Sequence, residues 1–431
     1  MSSHGLAATD RTPPQPQQPQ QPPQPQQPQQ RHMPLWRNRD FLLIIGGQMV
    51  SEAGTQVSHL AFPLLMLLLT NSPSQAGLMG ALRAVPYVAL ALPAGALVDR
   101  WNRRVVMVVC DTGRALCLGS VAFALALHSL VPGQLYVIAL IEGILGVVVE
   151  LAYVSCLPRV VPAGQFSQAT TVESTLNGAA SLAGPPLGGL LYTINVALPF
   201  IADAVSYAVS VIAMLCVRMP LQGSRSAPRE PMAREIRTGL VWLWRQPAIR
   251  MLALLSGLLN VVAPEASALL VIVLAQRQHA SSAVIGLIFA GIGIGYIIGS
   301  LLTEVIRRRF AFRRIMAGTG WLFVLFWCAF ALGIDNLALL AVVSLLFAIT
   351  DPIYDITQFS YRMVLIPDAL QGRVNSAYRV IARATPPLGL ALMGILLQHT
   401  SALATIALLS VFPLTMAILA TTSRAIRSAP K

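Results

Sequence analysis

Charge is scarce in this chain. Only 11% of its 431 residues are Asp, Glu, Lys or Arg, while 55% are hydrophobic and the mean hydropathy is +0.66. A soluble globular domain carries about one quarter charged residues, so an ordinary water-facing surface is excluded. Lysine is nearly missing, Lys431 being the single one, which reads as compositional bias rather than chemistry. Cysteines 110, 117, 156, 216 and 328 lie in or beside apolar runs and form no CxxC pair. A disulfide framework or zinc site is therefore not expected, and they read as small hydrophobes. The six histidines show no ligand spacing, so no metal is expected. There is no Walker-type loop, hence no encoded ATP drive. Gly286, Gly291, Gly293, Gly295 and Gly299 lie within an apolar run with no strand before them. They read as a helix-packing face, not a dinucleotide fingerprint, and no cofactor is expected. No nucleophile–base pair stands out either, so the chain does not read as an enzyme.

What is present is a succession of runs of about 20 apolar residues, each long enough to cross a hydrocarbon core of about 30 Å. They are uniformly apolar, where a transmembrane barrel would alternate over about ten residues. Twelve spans are expected: 41–69, 75–98, 105–128, 134–157, 172–193, 197–217, 250–274, 282–303, 314–334, 337–359, 374–397 and 401–420. Residues 1–34 hold a Pro/Gln tract with nothing apolar to bury, and disorder is expected there. The polar link 218–249 contains Arg234–Arg245 with Trp242 and Trp244, the pattern of an amphipathic helix on a membrane surface. The division expected is thus a 1–34 tail, a 35–217 bundle, the 218–249 linker, a 250–420 bundle and a 421–431 tail.

A net charge of +13 would point to nucleic acid in a soluble protein. Here the arginines sit in the links, so they set topology and no nucleic-acid partner is expected. With the N-terminus in the cytoplasm, all of the 30 basic residues except Arg83 and Arg277 fall on the cytoplasmic side, as the positive-inside rule requires. The chain also repeats itself. Glu150 precedes Pro162 by twelve positions and Asp355 precedes Pro367 by twelve, and both segments continue into Pro-Pro-Leu-Gly, at Pro185–Gly188 and Pro386–Gly389. An offset of about 200 residues between the copies relates two six-helix halves. The fold class expected is an all-α membrane protein, twelve transmembrane helices in two pseudo-symmetric six-helix bundles.

The segment Gly95-Ala-Leu-Val-Asp99-Arg100-Trp-Asn-Arg103-Arg104 links two of these spans. It resembles the loop between the second and third helices of the major facilitator superfamily. Phe62–Leu65, Arg83–Pro86, Asp111–Arg114, Leu157–Pro162, Asp203–Tyr207 and Pro367–Ser376 are similar to the bacterial macrolide-efflux and enterobactin-exporter-like branch of it. The resemblance spans about residues 36–420. It implies that Asp99 sits against the N-terminus of helix 11, where the dipole favours an anion. Gly95, Asp99, Arg100, Arg103 and Arg104 would then form a conformational latch, the alternative being simple topology-setting.

Ionisable groups inside spans are expensive, about 2.5–3.5 kcal/mol each on insertion scales, so they need a partner or a wet cavity. Depth along the helices sorts them into two layers. The inner layer holds Asp111 and Arg114, Glu150, Asp351 and Asp355, and Arg379 and Arg383. The last two pairs are each four apart and can form an acid–base ladder, so these seven are cytoplasmic gate candidates, or else static charge neutralisation within each half. The deeper layer holds Glu52 and His59 with Gln56 on one face of helix 1, and Arg83, Glu142, Asp203 and Glu265 in outer half-spans. Four acids share one arginine there, so at least one is expected to hold a proton near neutral pH, unless some, Asp203 among them, face the outer mouth and stay hydrated. Glu52, His59, Arg83, Glu142, Asp203 and Glu265 are proton-coupling candidates, with Glu52 first. Trp321, Phe326 and Trp327 are expected to face lipid.

The resemblance implies a twelve-helix secondary transporter, a monomer in the bacterial plasma membrane with both termini cytoplasmic. It would export hydrophobic or amphipathic small molecules, drug, antibiotic or siderophore-like, by proton-coupled alternating access, as an antiporter conferring multidrug resistance. Its partners would be the small-molecule substrate, protons and membrane lipid. A lysophospholipid flippase of the same fold, or a non-transporting membrane sensor, are the rival readings.

Overall fold

The computed structural model describes residues 35–98, 101–161, 165–219, 221, 232–262, 264–367 and 370–427, and among them there is no strand. Five of the helices begin at a side-chain cap that the sequence supplies. Asn38, Asn102, Ser281, Asn336 and Ser401 each accept a backbone N–H of the first turn that follows, satisfying one of the donors a helix start leaves open. The first half runs α1 (Arg39–Thr70), α2 (Pro73–Val98), α3 (Arg103–Ala126), α4 (Pro132–Val160), α5 (Phe166–Ile194) and α6 (Leu198–Cys216). A linker helix, α7 (Met232–Arg245), follows. The second half runs α8 (Pro247–Val262), α9 (Glu265–Arg277), α10 (Ser282–Arg309), α11 (Phe312–Ala329), α12 (Leu337–Leu365), α13 (Gln371–Arg383), α14 (Pro386–His399), α15 (Ala402–Leu409), α16 (Val411–Thr422) and the short α17 (Arg424–Arg427).

Among the described residues, ten helices or helix pairs are long and apolar enough to cross a membrane. With α2 and α5, of 26 and 29 residues, they make the twelve expected. Three of the expected spans are interrupted. The seventh is α8 and α9, parted at Pro264; the eleventh is α13 and α14, parted before Pro386-Pro387; the twelfth is α15 and α16, parted at Ser410. Proline forces each of the first two breaks by removing an N–H and crowding the preceding turn. The repeat is visible in the backbone: Val161 and Ile366 end α4 and α12 in the same extended conformation, each N–H reaching back to Leu157 and Arg362.

Within the first half α1 packs on α5 and α6, α2 on α4, and α3 on α4 and α6. Within the second, α12 packs on α10 and α11, and α16 on α8 and α11. The two halves meet along α2–α14 and α5–α10. Side chains such as Leu116 and Leu301 stand about 70% exposed (69% and 72%) on the outer faces, the surface that lipid covers. The α10 glycines divide between two neighbours: Gly286 and Gly293 sit against α5, Gly295 and Gly299 against α12, and Gly291 meets open space. Trp321 is exposed as expected. Trp327 is not: it is fully buried, its Nε1–H donating to the Ile406 carbonyl at 3.0 Å, and it packs against Phe330 and Phe347. In the linker, α7 packs on α13 and α8, burying Leu243 and leaving Leu240, Val241 and Trp244 exposed. The 1–34 tract and residues 222–231 of the linker lie outside the described residues.

Candidate functional site

Between the halves lies a cavity of about 720 Å³. Its closed end is where the halves touch through glycines. A side chain at Gly77 would meet the Leu390 carbonyl and Gly394, and one at Gly189 would meet the Ser282 carbonyl. Ala283 N–H donates to Thr193 Oγ1 across the same seam at 3.1 Å. From there the lining runs past Phe62 and Met79 to Glu150, Tyr153 and Glu173 near the other end.

One wall of the cavity is backed by a buried polar network in the first half. Arg114 of α3 lies 3.4 Å from Glu142 Oε2 of α4 and 3.7 Å from Asp111 Oδ1 one turn before it. Its guanidinium stacks 4.1 Å from the centre of the Tyr207 ring of α6, and it donates to Thr55 Oγ1 of α1 at 3.4 Å. The Tyr207 hydroxyl donates to the same Glu142 oxygen at 3.2 Å. Ser210 donates to Asp111 at 2.7 Å, and Ser58 to Asp203 at 2.5 Å, with Ser206 also on Asp203. The four charged groups are 0–7% exposed: Asp203 0%, Asp111 1%, Glu142 2% and Arg114 7%. Three acids thus share one cation out of water.

The two expected layers therefore merge on this side. Asp111 and Arg114 join Glu142 and Asp203, because the long guanidinium reaches along α3 toward mid-depth. Arg114 is the cation paired with Asp111 and Glu142. Asp203 is not at a hydrated mouth. Arg83 lies over the Phe62 ring at 5.3 Å and lines the cavity. Glu52 also lines it, its carboxylate accepting from Gln56 at 2.8 Å, and His59 is exposed to it. Glu265, the first residue of α9, lines it from the second half.

The gate candidates separate. Asp351 accepts from the Tyr296 hydroxyl of α10 at 2.8 Å and Asp355 is exposed. Arg379 is exposed, while Arg383 crosses to the first half and stacks 4.6 Å from the Tyr87 ring. Arg383 thus faces the other bundle instead of joining the expected ladder with Asp351 and Asp355. Of the loop, Arg103 donates to the carbonyls of Ser155 in the first half and Leu221 in the linker at 2.9 and 3.3 Å, and Arg104 to that of Leu215 in the first half. Gly95 falls in α2, and Asp99 and Arg100 lie outside the described residues.

Four residues escaped the sequence reading. Glu173 lines the cavity from α5. Ser206 and Ser210 belong to a polar stripe Asp203, Ser206, Tyr207, Ser210 at helical spacing, a signal visible in the sequence. Arg362 is buried over the Tyr378 ring at 3.6 Å, and its Nε and Nη1 have no hydrogen-bond partner; nothing in its spacing marks it out.

Comparison with known proteins adds kinship. Residues 31–429 match the family model described as transmembrane secretion effector. The multidrug efflux pump Tap of Mycolicibacterium fortuitum is 26% identical over 88% of this chain and 94% of its own. The enterobactin exporter EntS of Citrobacter koseri is 26% identical over 82% and 84%. Among solved structures, a bacterial homologue of the human lysosomal transporter Spinster superposes with a TM-score of 0.72 at 15% identity, covering 92% of this chain and 98% of its own.

Proposed function

Since the chain belongs to the transmembrane secretion effector family of the major facilitator superfamily, whose members matched here are transporters and not enzymes, we propose that it exports hydrophobic or amphipathic small molecules in exchange for protons. The observation that carries the proton is the buried network: Asp111, Glu142 and Asp203 lie together at 0–2% exposed, and Arg114 pairs directly with Asp111 and Glu142. Three carboxylates cannot all stay ionised in so dry a place, so protons must occupy the network, and Glu142 also lines the cavity where they can be exchanged. The closed seam lies at the ends of α5 and α14 and the starts of α2 and α10. With the termini cytoplasmic, as the arginine bias supports, that seam is periplasmic and the cavity faces the cytoplasm, the state that loads an export substrate in a bacterial plasma membrane.

Alternating access then closes the cytoplasmic side by drawing Arg379 and Arg383 of α13 toward Glu150 of α4. Asp99, Arg100, Arg103 and Arg104 act as the latch. The test is flux in proteoliposomes with an imposed pH gradient. Wild-type protein should move a hydrophobic dye uphill only with the gradient. Glu142→Gln and Asp203→Asn should leave downhill exchange and abolish the gradient's effect. Uphill movement at the wild-type rate in both variants would remove the network from coupling.

A further inference from the structure

A second cavity belongs to the second half alone. It is a groove of about 290 Å³ where the end of α7 and the start of α8 meet the end of α12 and α17. Its lining includes Trp242, Gln246, Ala248, Tyr361, Leu365 and Ala425. The Tyr361 ring is fixed there by stacking on Phe312 of α11, centroids 3.9 Å apart. Cations stand at the rim. Arg245 directly precedes Gln246, Arg424 directly precedes Ala425, and Arg313 directly follows Phe312; all three are exposed. Acids are scarce around them. Residues 236–262, 305–334, 356–367 and 371–427 contain no Asp or Glu. Of the acids that border these stretches, Glu304 is paired with Arg308 at 2.9 Å. Glu235 and Asp355 stand seven and six residues before Trp242 and Tyr361, about 10 Å along their helices. Asp368 lies outside the described residues. The helix beside the groove is two-faced. Leu243 is fully buried, and Gly239 seats against the Arg373 carbonyl of α13. Arg237, Leu240, Val241, Trp244 and Arg245 form one exposed stripe at helical spacing, apolar in the middle with an arginine at each end. Such a stripe suits a helix lying at headgroup depth.

We propose that this groove is a binding site for an anionic phospholipid, one acyl chain lying against Trp242, Tyr361 and Leu365 and the phosphate held by Arg245 and Arg424. An apolar slot rimmed by guanidinium groups complements an amphiphile with an anionic head, and each guanidinium can grip two phosphate oxygens at once. The bound lipid ties α7, α12 and α17 together at the membrane surface. The site is separate from the chamber between the halves and stands whatever solute that chamber carries. The test is native mass spectrometry of the purified full-length protein in detergent, titrated with dioleoyl phosphatidylglycerol or dioleoyl phosphatidylcholine. The two lipids share their chains and differ in headgroup charge. Phosphatidylglycerol should bind at least about tenfold more tightly. Arg245→Gln with Arg424→Gln should bring its affinity down to that of phosphatidylcholine. Ala248→Trp, which fills the groove and leaves the charge alone, should lower it about tenfold. Glycerol 3-phosphate, a phosphate headgroup without chains, should not displace the lipid at equal concentration. The comparison of the two lipids on wild-type protein needs no variant, should either one fail to fold. Equal affinity for the two lipids overturns the proposal. So does an unchanged phosphatidylglycerol affinity in either variant, or displacement by glycerol 3-phosphate, which would mean a site for the headgroup only. No arm reads solute movement, so a protein that binds phosphatidylglycerol in this way yet exports nothing supports this inference and retires the export reading. One that exports solute while holding both lipids alike does the reverse.

Discussion

Arg114 is the cation at the centre of the first half's buried network. It compensates two carboxylates and stacks on a tyrosine whose hydroxyl serves one of them. Removing one partner of a buried ion pair leaves an uncompensated charge, worth about 3–5 kcal/mol, whereas removing all partners together is often neutral. Arg114→Met is therefore expected to lower the melting temperature of the purified protein substantially, and the triple variant Asp111→Asn, Arg114→Met, Glu142→Gln to recover much of the loss. Equal melting temperatures for Arg114→Met and wild type would mean that the acids are already neutral without it. Ser210 offers a smaller effect of the same kind. Its hydroxyl is the donor on Asp111 Oδ2, so Ser210→Ala should cost about 1–3 kcal/mol, read in the same melting assay.

The broken helices α8–α9 and α13–α14 are the elements that depart most from the sequence expectation. A break frees backbone carbonyls that lipid cannot satisfy, so neighbouring groups must. Asn260 of α8 donates its amide to the Ala382 carbonyl near the end of α13 at 2.9 Å, and Gly389 of α14 leaves room for the Val261 carbonyl. The two breaks thus support each other. Asn260→Leu is expected to speed amide hydrogen exchange over residues 380–389 and to slow transport, with α1–α6 unaffected; uniform exchange across both halves would place the effect elsewhere. The prolines at 264, 386 and 387 were legible signals of these breaks, but a span reads as apolar throughout whether or not it is continuous, so hydropathy passed over them. The same blindness explains Trp327. In lipid both the core and the outer face are apolar, so the periodicity that separates inside from outside in a soluble helix is lost. The α10 glycines were legible as packing residues because only a missing side chain allows such approach, while their division between α5 and α12 follows from bundle geometry. Spacing also told which charges share a face, as with Asp351 and Asp355, but not which neighbour that face meets. Tyr296 took one, and Arg383 turned to Tyr87.

At the scale of the whole molecule the halves touch at one end and leave a chamber behind the contact. An alternating mechanism requires that contact to part during every cycle. Gly77 of α2 and Gly394 of α14 face one another there so closely that a Cβ on Gly77 would lie 3.0 Å from the Gly394 Cα. The pair Gly77→Cys with Gly394→Cys should therefore cross-link under mild oxidation, in a background where the native cysteines at 110, 117, 156, 216 and 328, all free thiols, are replaced by Ala or Ser. A disulfide confines the two Cα atoms to within about 7 Å, which is incompatible with opening the seam. The oxidised protein should lose transport in proportion to the cross-linked fraction and regain it with reductant. It should still bind solute from the unlocked side, because the chamber behind the seam is undisturbed. Full transport by fully cross-linked protein would mean that solute reaches the far side without α2 and α14 separating, and the rocking of one bundle against the other could not then be how this molecule works.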